Sequence, residues 1–175
     1  SEASLLCDPI GTQLDAAKQA AHAAAGARLR CYRFDKYRTK EEEEKKLSLT
    51  ALRVGTEAHE AAASAYAELE QGVGGVFLTR DLVSEPANVI YPESFVERAR
   101  ALEKLGVKIE VLDEAQMRER GMGALMGVAQ GSAREPRLLV MTWNGAEEGD
   151  RDYPVAFVGK GVCFDTGGIS IKPAA

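Results

Sequence analysis

Two short runs, Leu138–Met141 and Val155–Val158, are apolar at every position. A strand with one wet face alternates apolar and polar residues, because successive side chains point to opposite sides of the sheet. A run that does not alternate belongs to a strand covered on both faces. Such coverage requires layers, with helices packed on a largely parallel sheet. The preceding segments supply the other elements. Phe95, Ala99 and Leu102 share one helical face, closed by Gly106. Val107, Ile109 and Val111 alternate with Lys108 and Glu110, as in a strand with one buried face. Asp113 and Gln116 are spaced as the capping box of a short helix reaching Glu119. Strand and helix alternate, and the fold class is α/β.

The first part of the chain reads less sharply. Thr12 to Ala27 is Ala-rich with scattered Gln, Lys and Asp, which predicts a helix. Arg28 to Tyr37 is ambiguous in period between helix and strand. Glu41 to Lys46 is a charge run, read as a solvated turn. Leu47, Leu49 and Ala51 alternate with polar residues, as a half-buried strand would. Thr56 is placed to cap a helix running through Ala61, Tyr66 and Leu69. Gly72, Gly74 and Gly75 interrupt that pattern, and a domain boundary is expected near them.

Bulk properties exclude several classes of function. The chain has 175 residues, 45% of them apolar and 28% charged, the balance of a globular protein. A net charge of -5 without a concentrated basic patch argues against nucleic acid as the main partner. No apolar run approaches the length that crosses a bilayer. Cys7, Cys31 and Cys163 form no CxxC pair, so reduced thiols in a cytoplasmic protein are expected. The only imidazoles, His22 and His59, sit on Ala-rich helical stretches, which leaves histidine-based chemistry without support.

The chemistry concentrates at Phe157 to Pro173, where a buried strand is expected to end at Gly159 and a glycine-rich loop carries Lys160, Asp165 and Lys172. In open α/β sheets, ligands gather beyond the carboxyl ends of strands. Gly-Lys after a strand invites comparison with a phosphate loop, but that loop needs a glycine five residues earlier and Ser or Thr after the lysine. Pro154 and Gly161 occupy those positions, so the phosphate reading fails. A metal site remains. One carboxylate can bridge two divalent cations, a lysine can ligate as the free amine, and a second, protonated lysine can polarise a carbonyl. Three residues are too few for two cations, so further ligands must come from elsewhere.

Four blocks, in order along the chain, resemble the leucyl (cytosol) aminopeptidase family. Val158 to Pro173 (VGKGVCFDTGGISIKP) is similar to its metal-binding segment. Arg80 to Asn88 (RDLVSEPAN) is similar to the segment where its catalytic domain begins, Gly121 to Ser132 (GMGALMGVAQGS) to another block, and Tyr32 to Tyr37 to part of its N-terminal domain. The resemblance implies the end of an α/β N-terminal domain over 1–72. Over 73–175 it implies a linker helix and the first part of a mixed, largely parallel-sheet catalytic domain. It makes Lys160 and Asp165 metal ligands, with Asp165 bridging both cations, and Lys172 the catalytic lysine at the substrate carbonyl. It further implies two divalent cations (zinc, manganese or magnesium) and a bicarbonate ion held by an arginine. The expected substrates are peptides with a free N-terminus, and the expected assembly is a cytoplasmic homohexamer.

Cys163 stands where that family commonly has threonine, and it is read as a small buried apolar residue. The remaining acidic ligands and the bicarbonate-binding arginine are expected downstream of Ala175, so the chain alone should be inactive. Glu85 precedes Pro86, which suits a helix end, and Glu85 is read as structural. The competing reading is a non-catalytic oligomerisation or binding module.

Overall fold

The structure, a computed structural model, describes residues 1–7, 14–42, 46–146 and 154–163. Helices alternate with two small sheets, one parallel and one antiparallel, so the architecture is α/β. The chain divides into two compact units, Ser1–Ser84 and Glu85–Ala175.

In the first unit, β1 (Glu2–Leu6) pairs in parallel with β2 (Ala51–Gly55), in a register that sets Glu2 against Ala51 and Leu6 against Gly55. Helices α1 (Ala16–Arg30) and α2 (His59–Ser84) connect and follow them. Asp15 caps α1, its carboxylate accepting from the Lys18 amide at 2.8 Å. The core here is small: Ala17 and Ala20 of α1 pack on Ala62 of α2, with Cys7, Val54 and Ala58 against them. Alanines add little apolar area, but they let two helices approach closely, and polar contacts extend the seam. Arg28 reaches Glu70 at 2.5 Å and Tyr66 at 3.4 Å, and its pKa is raised chiefly by the Tyr66 hydrogen bond.

Three expectations change in this unit. β1 was not anticipated. The strand expected at Leu47–Ala51 lies later, over Ala51–Gly55, because the ladder is set by pairing with β1 and not by local alternation. The interruption expected at Gly72, Gly74 and Gly75 does not occur: α2 runs through all three to Ser84. Glycine costs a helix roughly 1 kcal/mol per residue relative to alanine, and packing offsets this. Val73 is buried, Phe77 meets the Tyr32 ring at 5.1 Å, and Asp81 accepts from the Tyr32 hydroxyl at 2.7 Å.

In the second unit, Pro92 opens α3 (Pro92–Ala99), and the Tyr91 amide donates to Ser94 Oγ at 2.9 Å. A 3-10 segment (Arg100–Leu105) follows and ends at Gly106, whose φ of 86° is the left-handed conformation that glycine adopts without strain. β3 (Lys108–Leu112) buries Leu112 and exposes Lys108 and Glu110. The expected capping box at Asp113 and Gln116 is present in both directions and opens α4 (Glu114–Glu119). After α5 (Gly123–Ala129), β4 (Leu138–Thr142) pairs antiparallel with β3. Leu112, Met117 and Met126 form the core, with Leu138 against it.

The two apolar runs differ in the structure. Leu138–Met141 is a strand, but only half-covered in this chain, with Val140 and Met141 exposed. Val155–Val158 is exposed and forms no strand; Phe157 and Val158 are 94% and 98% accessible. A strand needs a hydrogen-bonded neighbour as well as an apolar sequence, and none of the described residues pairs with this run. No helix among the described residues is long and apolar enough to cross a membrane.

Candidate metal-binding loop

Glycine carries no side chain to bury and has little preference for helix or strand, so the glycine-rich sequence after residue 158 reads as a loop. Lys160 lies there in irregular backbone with an exposed side chain. Cys163, three residues on, is half-buried. Its thiol pKa is raised, first by burial and then by the nearby charge of Glu93. Asp165 and Lys172 lie outside the described residues.

Glu93 is a residue that the sequence reading passed over. It sits in the first turn of α3, where a carboxylate is favoured by the helix dipole. Oε1 lies 3.9 Å from Arg137 Nη2, at the approach to β4, while Oε2 is buried and accepts no hydrogen bond among the described residues. Arg134 stacks 4.0 Å over the Tyr91 ring on the same helix start. Glu85, by contrast, is structural as expected: its side chain is 2% exposed and paired with Arg98 at 2.8 Å.

Metal donors are sparse elsewhere. Among the described residues, no group of three or more His, Cys, Asp or Glu side chains could hold a metal ion. A groove of about 490 Å³ in the first unit is lined by Leu29, Tyr32, Arg80 and Ser84, and one of about 410 Å³ in the second by Met122, Met126 and Gln130. Neither lining includes a carboxylate or an imidazole, so neither is a metal site. The donor set of the loop fits divalent cations in kind, one amine and one carboxylate five residues apart, but as part of a site and not as the whole of one.

Comparison with known proteins is specific. A family model described as "Cytosol aminopeptidase family, catalytic domain" matches residues 77–175. A probable cytosol aminopeptidase of Bradyrhizobium sp. is 56% identical over 156 residues, which are 89% of this chain and 31% of that protein. One of Chelativorans sp. is 51% identical over 180 residues, covering 99% of this chain and 35% of the relative. This chain therefore spans about a third of the length of the curated relatives it matches. Among solved structures, the bottromycin maturation enzyme BotP in complex with Mn is similar with a TM-score of 0.60 and 32% identity, covering 81% of this chain and 29% of that one. A mutant leucine aminopeptidase of tomato shares the fold, with a TM-score of 0.62, 21% identity, and coverage of 79% and 28%. The expected family stands, and this chain belongs to the cytosol aminopeptidase family.

Proposed function

We propose that this chain carries the first part of the metal site of an aminopeptidase that releases N-terminal residues, leucine preferred, from peptides. The observation that carries the reading is the loop of Lys160, Asp165 and Lys172 inside the segment that matches the family's catalytic domain. That BotP was solved with Mn supports divalent-cation chemistry. Residues 1–72 would then end an N-terminal domain, and 73–175 would form a linker helix and the start of the catalytic domain.

Zinc, manganese or magnesium ions, when bound, would supply Lewis acidity and lower the pKa of a coordinated water. Lys160 would offer its free amine as a donor, and Asp165 would share its two oxygens between two cations. Lys172 would keep its proton at Nζ and point it at the substrate carbonyl oxygen, where negative charge grows as the peptide bond is attacked. The remaining ligands, and the arginine for bicarbonate, would come from the part of the relatives' length that this chain does not span. A cytoplasmic homohexamer completes the reading.

Replacement in a complete enzyme carrying this segment separates the two lysines. Lys160→Ala should weaken metal affinity about 10–100-fold, as loss of groups that support a metal site does. Lys172→Ala should lower kcat with metal content intact. Equal metal loss in both variants would overturn the division of roles.

A further inference from the structure

The end of α1 and the last turns of α2 border the groove of about 490 Å³ in the first unit. Leu29, Tyr32 and Val83 give it apolar walls, and Arg30 and Arg80 add two guanidinium groups. Among the described residues neither arginine has a carboxylate in ion-pairing range, whereas Arg28, two positions back on α1, is paired with Glu70. The helix dipole favours a cation in the last turn of α1, but it favours Arg28 and Arg30 alike. Arg80 is held in place: its guanidinium lies 4.9 Å over the Tyr32 ring, and Nη1 donates to the Leu29 carbonyl at 3.3 Å. That contact uses one of its five N–H donors. Asp81, next in sequence, accepts from the Tyr32 hydroxyl at 2.7 Å and forms no ion pair with Arg80. Val83 is 80% exposed, so apolar surface stands open beside the two cations. In a chain with a net charge of -5, carboxylates are in excess, yet this groove holds two cations and none of them.

We propose that the groove is a binding site for a small organic anion, a carboxylate or phosphate group on an apolar body. The anionic group lies between Arg30 and Arg80, whose planar forks match either anion. The apolar body covers Leu29, Tyr32 and Val83. Free amino acids fit poorly, since their ammonium group would meet the same guanidinium groups. The site draws on no residue of the metal-binding loop, so it stands or falls independently of Lys160.

The test titrates the full chain with 3-phenylpropionate, phenyl phosphate and the neutral 3-phenylpropanamide, followed by backbone amide chemical shifts. Both anions should bind saturably, with dissociation constants of roughly millimolar order at low salt and weaker binding as salt rises. Shifts should centre on residues 29–32 and 79–84. The tighter of the two anions identifies the group as carboxylate or phosphate. The amide should bind about tenfold more weakly than 3-phenylpropionate, because it brings no charge to the guanidinium groups. Arg80→Leu and Arg30→Leu should each weaken anion binding about tenfold. Arg30→Gln leaves every contact of Tyr32 in place and decides the matter if Arg80→Leu does not fold. Arg100→Leu, which removes an exposed arginine of the second unit, should bind as wild type does. No saturable binding, equal affinity for the amide, unchanged affinity in Arg30→Gln, or equal loss in Arg100→Leu would overturn the proposal.

Discussion

Tyr32 closes the turn after α1 by reaching across to α2. Its hydroxyl donates to Asp81 Oδ1 at 2.7 Å, its ring meets Phe77 at 5.1 Å, and the Arg80 guanidinium lies 4.9 Å over its face. Burial, then the Asp81 hydrogen bond, holds its pKa above the ordinary tyrosine value of about 10. A raised pKa in the fold means that the folded state keeps the phenol proton more tightly than the unfolded chain does. That contribution is complete below pH ~10 and is lost as pH rises through the raised value. The unfolding midpoint should therefore drop between pH 9 and 11, and drop less in Tyr32→Phe; parallel falls in the two proteins would contradict this. Residue-scale features were unevenly legible. The Asp113–Gln116 box could be read from spacing, because both partners lie within one helical turn. Glu93 gave no local signal, since its partner, Arg137, is distant along the chain.

Among the elements, α2 best shows packing overriding propensity. Three glycines within four positions suggest a break, yet the helix continues because Ala62 and Val73 are buried and Arg28, Tyr32 and Asp81 tie it to α1 and the turn that follows. Nothing lies within 4 Å of a Cβ built at Gly74. Gly74→Ala should thus stabilise the chain by about 0.5–1 kcal/mol, the difference in helix propensity, as read by urea unfolding. A neutral or negative result would mean that the helix is strained or frayed there. The strands taught the opposite lesson. β1 and β2 exist because they pair, so a reading of single segments missed one and shifted the other by several residues. Val155–Val158 has the composition of a covered strand but lies open in this chain, since composition specifies what a segment can bury and not whether the partner is at hand.

For the whole molecule, family membership came from four ordered blocks, and the match over residues 77–175 agrees with the three that lie wholly within it, the metal-loop block among them. Site geometry was not legible to the same degree, because one amine and one carboxylate do not define a two-metal centre. From that donor count, the isolated chain should not hydrolyse leucine p-nitroanilide with zinc or manganese present; metal-dependent turnover by this chain alone would contradict the proposed division of ligands. The central claim is that Lys160 is a metal ligand, and its chemistry gives a direct test. Lysine coordinates only as the free amine, so binding a cation must release a proton and must tighten as pH rises. Metal dissociation constants of a complete enzyme carrying this segment, measured from pH 6 to 9 with and without Lys160→Met, decide it. The account predicts a wild-type affinity that climbs with pH more steeply than that of the Met variant. A wild-type affinity that stays flat, or climbs no faster than the variant's, would remove Lys160 from the site.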